Sequence, residues 1–469
     1  MNGIMILAVY AAIMITVTFV FTKRGTSAEN FHVGKRNMGV ISSAMSIAAT
    51  WIWAPALFTS AEKAYSNGIA GLFWFLVPNI LCLILFIPFA KAIRGRMPDG
   101  ITLSGFMGQT YKSRAVRRVY LFQLSSLTIL STAVQLLAGG RILSNATGIN
   151  FTLVTVLLAL IAFTYSQFSG IRASILTDVV QMIFILIACL IFVPWALGMP
   201  GGTQNLLNGL GGISGDYRHL FDAKGIEVML AFGLPTAIGL VSGPFGDQCF
   251  WQRAFCIDKK KIGKAFFLGA VLFGMVPLGM GILGFIAAGS GAQIHDTGIV
   301  NFELIRQLFP AWVTVPFLYM LISGLLSTVD SNLCAAASLT TDLETVKGME
   351  DKQQMKVSRL TMIVLLLLGI AIANIPGLTV THMFLFYGTL RATTLLPTVL
   401  TLLGVKLKAR GVVAGVTTAL ACGLPVFAYA TMNNLSILKT AASLFTVLIS
   451  GALAGLLSMG HGGENCANT

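Results

Sequence analysis

Apolar runs of about eighteen or more residues recur from one end of this chain to the other, and no other feature narrows its possible folds as much. Coiled as a helix, a run of that length matches the thickness of a bilayer's hydrocarbon core. Composition agrees, with 56% of the 469 residues hydrophobic and 10% charged, against roughly 25% charged in soluble domains. The sequence therefore predicts an all-α, polytopic protein of the lipid bilayer.

The runs divide into about thirteen spans, beginning at 3–22. No Lys or Arg precedes that first run and no small-residue cleavage site follows it, so it reads as a retained helix and not a signal peptide. Positive charge gathers in alternate loops: Lys23 to Arg36, Lys91 to Arg118, Arg253 to Lys264, Lys347 to Arg359 and Lys406 to Arg410. Of the 31 Lys and Arg, 24 fall on that side, six on the other, and Arg391 within a span. This is the positive-inside bias. It places the N-terminus outside and the C-terminus in the cytoplasm, in a plasma membrane, with the short tails favouring a bacterial inner membrane. The net charge of +14 is thus a matter of topology and implies no nucleic-acid partner.

Two spans are interrupted. Residues 39–64 contain "AATWIWAPALFTS" with Pro55 in mid-run, and residues 227–251 contain "LVSGPFGDQCFWQR" with Gly243, Pro244 and Gly246 ahead of Asp247. Proline removes a backbone donor and glycine loosens the helix, so both segments are expected to unwind there. A proline kink would explain either one alone. Their placement is matched, however, because each opens a group of five spans, and paired breaks of this kind point to the binding site of a secondary transporter. The expected organisation is an extra helix and loop at 1–38, a first five-helix unit at 39–198, and a loop at 199–226. A second unit follows at 227–403, then two peripheral helices and a tail at 404–469.

The segment "LLSTVDSN" places polar groups where they are expensive. On a helix Gly324, Ser327, Thr328 and Ser331 form one stripe, bordered by Asp330. Single Ser or Thr residues often bond back to the preceding turn or join helices. A stripe of three hydroxyls with a carboxylate instead offers the hard oxygen ligands that suit an alkali cation. Asp178 is a second acid inside an apolar span, with Thr177 and Gln181 as local hydrogen-bond partners. If Asp178 and Asp330 approach each other, they share a proton or bracket a cation, so sodium and proton coupling both stay open. Near the breaks, Trp51, Trp53, Asp247 and Gln248 would suit a small polar, uncharged solute. Arg391 has no assigned role.

Other chemistries find little support. The seven cysteines form no CxxC pair and no metal-ligand spacing, there is no HExxH, and no P-loop precedes Lys264. An intramembrane aspartyl protease would need a GxGD motif where "GPFGD" stands, and a Tyr-Asp partner motif that no span carries. No enzymatic activity and no organic cofactor are expected. A passive channel for small solutes is the more serious alternative.

Four stretches in order, "AENFHVGKRNMG", "SGIRASILTDVVQ", "WQRAF" and "STVDSNLCAAASLTTD", resemble the sodium:solute symporter family over nearly the whole chain. "ATWIWAPALFTSAEKAYSNGIAGLFW" and "FGDQCFWQRAF" are most similar to its urea-transporter branch. The resemblance implies the five-plus-five inverted-repeat fold of the leucine transporter, working by alternating access. It implies a principal sodium site made by the carbonyls of Ala49, Ile52 and Gly324 and the hydroxyls of Ser327 and Thr328. A further sodium, near Asp178 with Ser327, Asp330 and Ser331, is implied for some members. Asp330 departs from the serine found there, and a proton can take that ion's place.

Overall fold

The computed structural model describes residues 3–21 and 27–459. Among them helices are the only regular elements, apart from an isolated bridge pairing Met38 with Ile257. Lys23, Arg24 and Cys466, which entered the charge and cysteine arguments, lie outside the described residues. Twelve helices among the described residues are long and apolar enough to cross a membrane. The thirteenth expected span is the first broken one. Its opening helix, Val40–Trp51, is short, and its continuation through Ala54–Leu57 runs into Thr59–Arg96. Asn67 and Gly68 leave helical geometry and separate that span from the next. Gly68 takes φ 55°, a left-handed value that suits glycine, and a Cβ there would lie 2.6 Å from the Leu210 carbonyl.

The segment expected as a loop at 199–226 is partly helical. Gly202–Asn208 lies against Ile262–Ser290, where a Cβ on Gly209 would sit inside the Phe285 carbonyl. A short amphipathic helix, Val300–Leu308, follows Ile262–Ser290. Burial sorts the spans into centre and rim. In the most apolar window of Ala311–Asp342, 72% of residues are buried, against 28% in Gly3–Phe21 and in Asp351–Ala373. The hydroxyl-bearing helix is therefore central, while the latter two turn side chains such as Leu360 and Leu367 outward to lipid.

Both interruptions occur where proline and glycine place them. Ile52 (φ −81°, ψ 76°) and Trp53 (φ −99°, ψ 176°) carry the first, and Asp247 (φ −119°, ψ 117°) carries the second. Backbone groups freed at membrane depth need partners, and one helix, Arg114–Thr147, supplies them at both places. Gln135 Oε1 accepts the Ala54 N–H at 2.7 Å, and Gln123 Nε2 donates to the Gly246 carbonyl at 3.2 Å.

The segment after the first span folds inward as the helix Ala28–Val33, which Ser27 caps. Gln252 Nε2 donates to the His32 carbonyl at 2.6 Å. The His32 ring is buried, its Nδ1 has no protein partner, and burial pushes its pKa down to about 4. A neutral imidazole in the folded state and an ordinary one in the unfolded chain give a definite sign. The unfolded chain binds the extra proton as pH falls below about 6.5, so stability present above that value is lost between 6.5 and 4. The loss should approach about 3 kcal/mol. Thermal melts of detergent-solubilised wild type and His32→Gln should diverge progressively across that window. Parallel curves would show that the ring carries no such linkage.

Candidate cation and solute sites

The broken helix and the helix Thr314–Leu339 meet at a close backbone approach. A Cβ on Gly324 would lie 2.8 Å from Leu57 Cδ1 and 3.2 Å from the Ile52 carbonyl oxygen, so glycine here lets that carbonyl lie close against the hydroxyl stripe. Thr328 bridges the two helices. Its Oγ1 is 3.3 Å from the Gly324 carbonyl one turn back and 3.3 Å from the Thr50 carbonyl across the break. Back-bonding threonines in this chain run from 2.7 Å for Thr446 and 2.8 Å for Thr132 to 3.2 Å for Thr389, so Thr328 lies at the long end. The Thr328 hydroxyl is therefore bound firmly to neither carbonyl, and its lone pairs remain available to a cation.

Of the five expected sodium ligands, Ile52, Gly324 and Thr328 come together here, and the Thr50 carbonyl joins them without having been expected. The Ala49 carbonyl accepts the Ile52 N–H at 3.2 Å. Ser327 turns its proton to Asp178 Oδ1 at 2.5 Å, leaving only its lone pairs for an ion.

Asp178, on Ile171–Gly198, and Asp330 lie in one buried network, with a third member that sequence reasoning had placed elsewhere. Arg253, counted among the basic loop residues, is 1% exposed and lies in the fully buried helix Gln248–Cys256. Its Nη2 donates to Asp178 Oδ2 at 2.9 Å and to Ser331 Oγ at 2.7 Å; its Nε donates to Ser46 at 3.0 Å and its Nη1 to the Cys249 carbonyl at 3.1 Å. Ser46 also donates to Asp178 at 2.6 Å. Asp330 takes protons from Ser174 at 2.7 Å and Thr177 at 3.0 Å, with Ser331 further off at 3.4 Å. The two acids have separate donor sets, and the cation beside Asp178 is the protein's own guanidinium. The apolar flanks of Arg253, Trp251 on one side and Ala254-Phe255 on the other, were the available sign that it is no loop residue.

The second break meets the first across aromatic rings. Trp51 and Trp53 stack with centroids 6.0 Å apart, and Gly243 abuts the Trp51 indole. Asp247 caps its helix by accepting the Cys249 N–H at 3.0 Å, and its other oxygen accepts from Arg391 Nη2 at 2.8 Å and the Tyr387 hydroxyl at 3.1 Å. This pair gives Arg391 its place. It lies on Val380–Ala392, 1% exposed, with its guanidinium 3.8 Å from the Tyr387 ring centroid, 4.8 Å from Trp51 and 5.1 Å from Trp53. Val380–Ala392 reaches the break through Gly388, which packs directly on Gly239.

Gln248 departs from the expectation that it faces solute. Its Nε2 donates to the Ile101 carbonyl and to Ser338, and its Oε1 accepts the Leu103 N–H at 3.1 Å. Those bonds point it away from Asp247 and tie the break to the helix Leu103–Thr110.

Comparison with known proteins bears on this arrangement. A model of the sodium:solute symporter family matches residues 31–419. A sodium/pantothenate symporter of Haemophilus influenzae is 27% identical over 82% of this chain and 83% of its own length. A urea-proton symporter of Oryza sativa subsp. japonica is 24% identical over 86% of this chain but 60% of its own length. Among solved structures, a Na+-coupled sialic acid symporter superposes with a TM-score of 0.75 at 18% identity, covering 97% of both chains. A nucleobase-cation-symport-1 family transporter gives 0.55 at 17% identity, covering 91% of this chain and 95% of that one. The two broken helices, the twelve long apolar helices and these matches lead to one conclusion: the chain belongs to the sodium:solute symporter family and is a membrane transporter with the leucine-transporter fold.

Proposed function

We propose that the protein is a sodium-coupled symporter that imports a small polar solute by alternating access. The loosely held Thr328 hydroxyl carries this reading, because it lies between carbonyls of two helices that must separate for the site to open. Sodium at Thr328, Ile52, Gly324 and the lone pairs of Ser327, with Ala49 or Thr50 completing the shell, would bridge those helices. Only an ion that binds one arrangement better than the other shifts their balance. The solute would lie beside Trp51, Trp53 and Asp247. The units at 39–198 and 227–403 would move relative to each other about this centre. The inward sodium gradient would set the import direction, and the positive-inside bias would place the N-terminus outside and the C-terminus in the cytoplasm, with a bacterial inner membrane as the setting.

Arg253 limits the second ion. A fixed guanidinium already compensates Asp178, so one sodium is the proposed stoichiometry, with Asp330 the remaining group able to accept a proton.

Uptake into proteoliposomes under an inward sodium gradient, a proton gradient or neither tests this, with urea, pantothenate and proline as radiolabelled solutes. The expected result is accumulation above the external concentration under sodium alone. Accumulation under protons alone would move coupling to Asp178 and Asp330. Uptake that never exceeds the external concentration would support a passive channel.

A further inference from the structure

The hydrogen-bonding capacity left open around the Asp247–Arg391 pair is rich in donors. Among the described residues, Arg391 Nε, Arg391 Nη1 and Trp53 Nε1 are buried without a protein partner, and Asn79 Oδ1 is an unpartnered acceptor. Asn79 belongs to the same wall, since its backbone carbonyl receives the Trp51 indole N–H at 3.2 Å. Its amide is oriented by donation to the Phe75 carbonyl at 2.7 Å, which leaves the oxygen free. Asp247 Oδ2 already accepts two bonds and Oδ1 one, which leaves a single lone pair on Oδ1. The site therefore has many N–H groups to give and little capacity to receive.

Urea is a poor complement to that inventory. It offers one carbonyl and four N–H groups, so its donors would face donors. Each N–H left unpaired in a buried site costs about 1–3 kcal/mol. A carboxylate brings two acceptor oxygens and no donor. Arg391 Nη2 is taken by Asp247 and Tyr387, so a carboxylate would receive single bonds from Nε or Nη1, and bonds to an ionised group are roughly twice as strong as neutral ones. The rest of the wall is aromatic: Phe384 packs on Trp53 at 5.2 Å and on Phe75 at 5.9 Å. Such a wall accommodates a short apolar body.

From this juxtaposition we infer that the transported solute is a small monocarboxylate, received by Arg391 and the Trp53 indole N–H, with Asp247 as the residue that positions the guanidinium. The inference rests on the transporter reading above and names its substrate class.

The test is equilibrium binding to the purified full-length protein, followed by intrinsic tryptophan fluorescence with and without sodium. The ligands are acetate, propionate, pyruvate, lactate and urea. At least one monocarboxylate should bind about tenfold or more tighter than urea. Arg391→Gln should weaken that carboxylate by roughly 30-fold. Trp53→Phe, which removes the indole donor and part of the ring while keeping an aromatic side chain, should weaken it by about tenfold. Urea binding with carboxylates inert would overturn the assignment and leave coupling untouched, as would carboxylate affinity unchanged in both variants. Arg391-dependent carboxylate binding that ignores sodium would support the assignment and count against sodium coupling. The two failures are thus distinguishable.

Discussion

Arg253→Met is expected to abolish gradient-driven uptake and to destabilise the folded protein by about 3–5 kcal/mol, the usual cost of stripping one partner from a buried ion pair. The guanidinium reaches Asp178, Ser331, Ser46 and the Cys249 carbonyl, so its loss leaves a buried carboxylate with only hydroxyl donors. Arg253→Lys should recover part of the stability, because a point charge can meet Asp178 but not the forked set of acceptors. Pairing Arg253→Met with Asp178→Asn discriminates a structural role from a coupling role. The asparagine carries no charge and can still accept from Ser327, so the double variant should melt well above Arg253→Met. If its uptake returns along with its stability, the pair is scaffolding only. Uptake that stays absent in a well-folded double variant would place the pair within the coupling machinery, since it links the second broken helix to Ile171–Gly198 and to the hydroxyl stripe. Equal melting midpoints for wild type and Arg253→Met would contradict the buried pairing itself.

Different features of this molecule were legible to different degrees, and the reason is range along the chain. Span count follows from local hydropathy, and the breaks follow from Pro55, Pro244 and their glycines, because backbone chemistry acts within a turn. Asp178, Ser327 and Ser331 stand out in apolar surroundings for the same reason. Their partners do not. Asp178 meets Arg253 across 75 residues, and Asp247 meets Arg391 across 144, and no local pattern encodes either pairing. Arg253 was placed in a loop because apolar character falters at Gln252-Arg253, although the helix Gln248–Cys256 has no exposed face. Gln248 was grouped with Asp247 on adjacency alone. At the start of a helix neighbouring residues point about 100° apart, so one faces the rings and the next faces Leu103. The same reasoning explains Thr50. Its carbonyl lies at the candidate cation site because the helix opens at Ile52, which changes the direction of carbonyls that a regular helix would have kept bonded.

Thr328→Ala is expected to raise the sodium concentration for half-maximal uptake by about 10- to 100-fold, the range for removing one polar ligand from a charged group. The variant should fold normally. The hydroxyl it loses makes only two long contacts, both at 3.3 Å, and alanine favours the helix more than threonine does. Thr328→Ser should remain close to wild type, because an oxygen returns to the same stripe. Ser327→Ala should behave differently: its hydroxyl donates to Asp178 at 2.5 Å, so its removal withdraws a donor from the buried acid as well as a ligand from the ion. That variant should lose stability and sodium affinity together, whereas Thr328→Ala should lose affinity alone. Sodium titrations of uptake, run beside thermal melts of the same preparations, separate the two effects. A Thr328→Ala protein with unchanged sodium dependence would remove this hydroxyl from the site. The ion would then have to bind nearer the Asp330 cluster, where Ser174 and Thr177 supply the next oxygens.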